Sequence, residues 1–155
     1  KMFSKTCEYA IRASIFIATQ SFHDKRVTVK DISEKIDSPQ SFTAKILQIL
    51  AKNNLVHSVQ GIGGGFEIPK EIINQINLSQ IVKAIDGDSL FTCCGLGLGK
   101  CSEIHHCSVH EKFKEIRSEI VDMLNNTNLE ELALGIKSGN SFLSNYEEEN
   151  LASSE

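Results

Sequence analysis

The sequence lacks the long apolar segments that membrane proteins require. No hydrophobic run approaches the roughly 20 residues that a helix needs to span a bilayer. The N-terminus has no pattern of basic, apolar and small residues typical of a secretion signal, which predicts a cytoplasmic protein. The composition is otherwise ordinary, with 41% hydrophobic and 23% charged residues among 155, so the chain can form a folded domain with a small core.

The net charge of -4 conceals two halves of opposite charge. Residues 1–70 contain ten Lys or Arg and six Asp or Glu, whereas residues 71–155 contain six and fourteen. A basic half joined to an acidic half is typical of a nucleic-acid-binding unit with a separate sensing or pairing unit. The charge distribution therefore favours nucleic-acid binding by the N-terminal half.

The basic half begins with three predicted helices, because apolar residues recur there at helical spacing. The helices cover three segments: residues 4–20, 29–36 and 39–53. We expect Ser38 to cap the third helix and Pro39 to occupy its first position. The predicted core stripe of this helix consists of Phe42, Ile46, Ile49 and Leu50. Since its other face is polar and basic, the second and third helices are interpreted as a helix-turn-helix.

A glycine-rich hairpin is predicted after the third helix. Residues 55–59 and 66–68 resemble short strands, and the turn between them contains four glycines. A nucleotide-binding phosphate loop is excluded, because the turn has no Gly-Lys-Ser/Thr ending and leads into a strand instead of a helix. A hairpin at this position is the wing of a winged helix-turn-helix. The predicted fold is therefore mainly α-helical with a small β-hairpin wing and a long dimerisation helix.

The dimerisation helix is predicted over residues 108–124. Its apolar residues are Val109, Phe113, Ile116, Ile120, Val121 and Leu124. Because helix-turn-helix proteins usually bind two DNA half-sites as two-fold dimers, we expect this helix to pair with a second copy of the chain. Packing against its own domain would bury the same stripe.

Four of the five cysteines fall within fifteen residues, in a segment rich in glycine and histidine. They are Cys93, Cys94, Cys101 and Cys107. In a chain without a secretion signal, such clustering favours metal binding or redox chemistry over structural disulfides. Thiolates bind soft metals and iron–sulfur clusters, and the intervening glycines let the segment fold around a metal centre.

The cysteine spacing ranks several kinds of site without deciding among them. An iron–sulfur cluster would use Cys94, Cys101 and Cys107 with one further ligand. A structural zinc usually takes close Cys-x-x-Cys pairs, whereas six and five residues separate these cysteines. A thiol redox switch needs only two cysteines, such as Cys94 and Cys101. A thiol oxidoreductase is not expected, because no Cys-x-x-Cys lies beside a strand–helix unit.

In their order along the chain, these motifs resemble the winged-helix transcriptional regulators of the Rrf-two family, which includes IscR-type and NsrR-type proteins. The similarity spans about residues 3–135. It rests on residues 7–12, 38–48 and 55–66 and on the three-cysteine loop. It implies a homodimeric regulator, not an enzyme, that binds a double-stranded DNA operator with an affinity controlled by a 2Fe–2S or 4Fe–4S cluster.

The resemblance also implies cluster ligands. In IscR-like members three cysteines and a histidine are ligands, and the matching residues are Cys94, Cys101, Cys107 and His110. In NsrR-like members the fourth ligand is a carboxylate from the first helix of the partner, and the matching residue is Glu8. Both choices of fourth ligand stay open, and Cys94 fits the family pattern better than Cys93.

On this interpretation the third helix enters the major groove and the wing follows the DNA backbone. Gln40, Ser41 and Thr43 are expected to reach base edges, while Lys5 and Lys45 meet phosphates. Further predicted DNA-contacting residues are Ser38, Gln60, Gly61 and Gly63. Many relatives carry Arg at the wing position occupied here by Gln60, so one phosphate-binding cation is missing.

The predicted organisation has five parts. A DNA-binding domain (3–70) is followed by a connecting helix (71–91), a cysteine loop (92–108), the dimerisation helix with a short C-terminal helix (109–136) and a disordered acidic tail (137–155). We expect assembly or loss of a cluster to reorder the cysteine loop and thereby change the separation of the two recognition helices.

Overall fold

Helix α1 (Lys5–Ser21) forms the centre of the fold in the computed structural model, which describes residues 2–96 and 98–143. Ala10, Ala13 and Ile17 are fully buried along this helix. Ser4 caps it by accepting a hydrogen bond from the Cys7 N–H. Most of the predicted acidic tail, residues 144–155, lies outside the described residues.

Helices α2 (Val29–Ile36) and α3 (Gln40–Lys52) form the helix-turn-helix. Thr28 and Asp31 make a reciprocal capping box at the start of α2. The start of α3 differs from the expectation: Pro39 occupies the N-cap position, and no side chain caps the helix. The Ser38 hydroxyl contacts the Thr43 hydroxyl instead of a backbone N–H of α3.

The core face of α3 is rotated relative to the predicted stripe. The buried residues are Thr43, Ile46, Leu47 and Leu50, whereas Ile49 is 37% exposed. Thr43 can be buried because its hydroxyl donates to the Pro39 carbonyl at 2.9 Å. Periodicity of apolar residues alone therefore misassigned one edge of this helix.

The wing consists of two antiparallel strands, β1 (His57–Val59) and β2 (Gly65–Glu67). In their register His57 lies opposite Glu67, and Val59 lies opposite Gly65. The prediction of a mainly helical fold with a small β-hairpin wing is confirmed.

The wing is joined to the body of the protein by Val27, which precedes α2. Val27 and Phe66 exchange two backbone hydrogen bonds of 3.1 and 2.8 Å. A Cβ atom at Gly65 would lie 2.7 Å from the Val27 carbonyl oxygen, and Gly65 has φ +139°. Only glycine fits this close approach, so the base of the wing is held against the body.

Between residue 70 and the end of the described part of the chain lie five helices: α4 (Lys70–Ile73), α5 (Leu78–Asp86), α6 (Ser89–Thr92), α7 (His110–Asn126) and α8 (Leu129–Lys137). Helix α8 packs on α1, and α5 contacts α1, α3 and α7. The short helix α6 begins in the segment predicted as the connecting helix (71–91) and ends at the first residue of the predicted cysteine loop (92–108). Across the described ranges, no helix combines the length and the hydropathy needed to cross a membrane.

Candidate functional site

The exposed N-terminal part of α3 carries several of the predicted DNA-contacting residues. Gln40, Ser41 and Lys45 are exposed, and Ser38 is half-buried just before the helix. Thr43 requires a correction: it is fully buried, and its hydroxyl bonds to Pro39, so its side chain faces the core and not a base edge.

The tip of the wing, which follows α3 along the chain, is also exposed. Gln60, Gly61 and Gly63 are all exposed there, and Ile62 between the two glycines is fully accessible. Arg26, which the sequence analysis did not single out, donates to the Gly63 carbonyl oxygen at 3.4 Å and pairs with Glu67 at 3.0 Å. Its position one residue before the Val27 bridge places a cation at the wing.

The predicted DNA contact Lys5 and the predicted cluster ligand Glu8 lie together in the first turn of α1. The Lys5 ammonium lies 3.5 Å from a Glu8 carboxylate oxygen and 5.0 Å from the centre of the Tyr9 ring. The Lys5 side chain is 60% exposed and that of Glu8 29%. A role for Glu8 across a dimer interface stays a prediction.

The cysteine loop folds back on itself through backbone hydrogen bonds. The N–H of Cys94 donates to the Gly99 carbonyl at 2.7 Å, and the N–H of Cys101 donates to the Thr92 carbonyl at 2.7 Å. These two bonds form a narrow turn whose two arms carry Cys94 and Cys101. The turn thereby holds two of the predicted ligands on adjacent backbone segments.

The predicted ligand side chains meet in two pairs at the start of α7. The Cys101 sulfur lies 3.2 Å from Nδ1 of His110, a residue that is only 3% exposed. The Cys107 side chain lies near enough to the Cys94 thiol to lower its pKa. The N–H of His110 donates to the Cys107 carbonyl at 3.1 Å, which links the two pairs.

Backbone N–H groups stabilise the thiolate form of Cys94. The N–H of Leu96, with that of Leu98 next in effect, lowers the pKa of the Cys94 thiol below its ordinary value of 9.0. The nearby Cys107 side chain and the positive charge of Arg117 lower the pKa of the Cys94 thiol as well. Cys94 is thus prepared to bind a metal, because the thiolate is the ligand form of cysteine.

Besides His110, the helix α7 side chains Arg117 and Phe113 contact the cysteine loop. Arg117 donates a hydrogen bond to the Cys93 carbonyl. The Phe113 ring lies directly against Gly95, where an added Cβ atom would come within 2.7 Å of the ring. Gly95 therefore permits the loop to rest on Phe113, and α7 is in direct contact with the segment that carries the ligands.

Two residues near His110 were not predicted as site residues. Glu103 and His106 each place one potential ligand atom within 4.8 Å of the other and of His110. Their signal in the sequence was the Glu-x-x-His-x-x-x-His spacing, which the cysteine pattern obscured.

The fold and the two exposed surfaces define a winged-helix DNA-binding regulator. Residues 3–134 match the family Rrf2, described as iron-dependent transcriptional regulators. The chain belongs to this family of transcriptional regulators. The prediction of a regulator and not an enzyme is thereby confirmed.

Individual relatives agree with this assignment. An HTH-type transcriptional regulator of Aquifex aeolicus is 33% identical over 133 residues, which cover 84% of this chain and 90% of that protein. The HTH-type transcriptional regulator IscR of Pectobacterium atrosepticum is 33% identical over 124 residues, covering 80% and 74%.

Solved structures show the same fold. CymR, the global cysteine regulator of B. subtilis, has a TM-score of 0.69 at 20% identity, covering 84% of this chain and 95% of that one. T. potens IscR has a TM-score of 0.68 at 18% identity, covering 89% and 90%.

Proposed function

We propose that the chain is a homodimeric transcriptional regulator whose affinity for a double-stranded DNA operator is controlled by an iron–sulfur cluster. The observation that carries the proposal is the contact of the Cys101 sulfur with His110 Nδ1 at the start of α7, on the loop that also carries Cys94 and Cys107. The relatives named IscR support a regulator of this type. An operator-binding protein acts at the chromosome, which places its activity in the cytoplasm.

The donor set fits an iron–sulfur cluster. Three thiols and one imidazole are the donor types that bind 2Fe–2S clusters, in which each iron takes two protein ligands. Two pairs of ligands are what such a cluster requires, so we assign Cys94, Cys101, Cys107 and His110 as its ligands, with Glu8 as the alternative fourth ligand. When bound, the cluster would supply a centre sensitive to its own redox state and assembly.

The contacts of α7 provide a route from the cysteine loop to the DNA-binding surface. Phe113 and Arg117 hold the loop against α7. Helix α7 contacts α5, and α5 contacts the recognition helix α3. A rearrangement of the loop therefore reaches α3 through two packed helices, which is the kind of contiguous contact that coupling requires.

The exposed face of α7 supports homodimerisation. Its apolar residues Phe113, Ile116 and Met123 are 40%, 55% and 47% exposed. Pairing with the same face of a second copy would bury them and set the distance between the two recognition helices.

The test combines a spectrum with DNA binding. Anaerobically purified wild-type protein and the matched control Cys93→Ser should show visible sulfur-to-iron absorption, while Cys101→Ser should lose it. DNA fragments selected from a genomic pool should bind the wild type with an affinity that changes on cluster removal, and Cys101→Ser should match the cluster-free form. A colourless wild type holding one zinc per chain would instead indicate a structural zinc site.

A further inference from the structure

Glu103, His106 and His110 form a second group of ligand atoms beside the cysteines. One atom from each lies within 4.8 Å of the others. The imidazole rings of His106 and His110 stack at a centroid distance of 4.0 Å and an interplanar angle of 11°. In the part of the chain that the structure describes, this is the one group of three His, Cys, Asp or Glu ligand atoms so closely spaced.

The two nitrogens of His110 face different partners. Nδ1 lies 3.2 Å from the Cys101 sulfur, whereas Nε2 is buried, has no hydrogen-bond partner and lies 3.7 Å from Glu103 Oε2. A neutral imidazole has one N–H and one lone pair. When Nδ1–H donates to the Cys101 sulfur, the lone pair lies on Nε2. It points into the group of ligand atoms, and no N–H or O–H among the described residues donates a hydrogen bond to it.

His106 is arranged in the same way. Its Nε2 lies 2.6 Å from the Glu103 backbone carbonyl oxygen. Because a carbonyl oxygen only accepts, Nε2 carries the proton and the lone pair lies on Nδ1. One carboxylate oxygen of Glu111 lies 3.9 Å from His106 Nδ1 and 3.9 Å from His110 Nε2. A second carboxylate thus stands beside both lone pairs.

We propose that Glu103, His106 and His110 bind one divalent first-row transition-metal ion, such as Zn²⁺ or Co²⁺, when the protein holds no cluster. Imidazole and carboxylate ligands suit these ions, and a site with three protein ligands keeps an open position. Each imidazole already uses its other nitrogen for a hydrogen bond, as metal-binding histidines commonly do.

The ligand atoms need only a small movement to reach binding distance. Zinc binds nitrogen at about 2.0–2.1 Å, so the donors of a tetrahedral site are separated by about 3.4 Å. Glu103 and His106 are exposed on the loop before α7, so their side chains can change rotamer by this amount without displacing core residues. Lys114 contacts both Glu103 carboxylate oxygens, at 2.9 and 3.0 Å, and would release one of them to the metal.

This site and the proposed cluster site share His110. Because a neutral imidazole offers one lone pair, His110 serves one metal at a time. Where His110 and not Glu8 is the fourth ligand of the cluster, the two sites therefore exclude each other, and occupation of the Glu103 site withholds one ligand from the cysteines.

The test uses the full chain with Cys93, Cys94, Cys101 and Cys107 replaced by serine, since reduced thiols of the loop would themselves capture the metal. Titration with Co²⁺ should give visible d–d bands at one ion per chain without the near-ultraviolet thiolate-to-cobalt band. Adding Glu103→Gln or His106→Asn should lower the Co²⁺ affinity by at least about tenfold, a loss that even supporting residues can cause. His105→Asn, an exposed neighbour outside the group, should leave it unchanged.

A second preparation is used if the serine variant does not fold. If its circular dichroism is lost, the wild-type chain with alkylated cysteines is titrated instead, alone and with Glu103→Gln or His106→Asn. The proposal is overturned if neither preparation binds Co²⁺ or if both substitutions leave the affinity unchanged. With all cysteines present, Glu103→Gln and His106→Asn should retain the visible absorption of the cluster, so failure of this site and failure of the cluster proposal are separately observable.

Discussion

At the scale of single residues, the surroundings of two cysteines shift the pKa of their thiols in opposite directions. Cys7 is fully buried in α1, and burial, followed by the nearby Asp86 carboxylate, raises the pKa of its thiol to about 12. Cys94 lies in the loop, where the Leu96 N–H lowers the pKa of its thiol. The burial of Cys7 makes it a packing residue, and the lowered pKa of Cys94 supports its proposed role as a ligand.

This contrast predicts selective alkylation in the cluster-free protein. Because the thiolate is the reactive form, Cys94 should react with iodoacetamide at pH values below 9.0, whereas Cys7 should react only after unfolding. Peptide mapping by mass spectrometry measures both rates, with Cys93→Ser removing the adjacent thiol. Equal rates for Cys94 and Cys7 in the folded protein would contradict the assignment.

Gln60 at the wing tip predicts a second effect of one residue. Replacing Gln60 by Arg should increase DNA affinity at low salt and make the slope of log K against log[salt] steeper by about 0.9 per subunit, or about 1.8 for the dimer, as expected for one added phosphate contact by each wing. Gln75→Arg adds the same charge on the exposed segment after α4 and should leave the slope unchanged. Both are measured by fluorescence anisotropy over a salt series.

At the scale of elements, the sequence predicts what local interactions determine. Helix α2 has the predicted bounds because its cap at Thr28 and its apolar spacing lie within the same few residues. The Val27 bridge to Phe66 joins residues far apart in the chain, and no local pattern indicates it. In the same way, the pairing of Cys101 with His110 depends on how the loop meets α7. The sequence could propose the cysteines and the histidine as ligands, but it could not predict which of these side chains contact each other.

The exposed face of α7 predicts a monomeric variant. Ile116→Asp combined with Met123→Asp places two charges on the face proposed to pair, where burying them without partners is costly. Light scattering after gel filtration should report a dimer for the wild type and a monomer for the double variant. Ser118→Asp, an exposed polar position of the same helix, should stay dimeric. A dimeric double variant with a native circular dichroism spectrum would place the interface elsewhere.

At the scale of the whole molecule, the two halves of opposite charge share one hydrophobic core. Helix α8 from the acidic half packs on α1, and Arg12 of α1 donates to the Leu143 carbonyl at 3.0 Å. The start of α5 is tied to the start of α8, because the Leu78 N–H donates to the Thr127 carbonyl at 3.0 Å. A change in α7 therefore acts on a connected body and not through a flexible linker.

Arg117 connects this body to the cysteine loop through a hydrogen bond. Its removal should therefore weaken the coupling between the loop and the DNA-binding surface without removing the cluster. Arg117 is no cluster ligand in our assignment, and Arg117→Ala should keep visible absorption while losing the hydrogen bond to the Cys93 carbonyl. Coupling between sites is typically about 1–3 kcal/mol. The DNA affinity with cluster divided by that without cluster should therefore move towards one in Arg117→Ala. This ratio should stay at the wild-type value in Lys112→Ala, which changes an exposed position of the same helix. If Arg117→Ala keeps the wild-type ratio, the signal leaves the loop by another contact, and the packing of Gly95 on Phe113 is the next one to test.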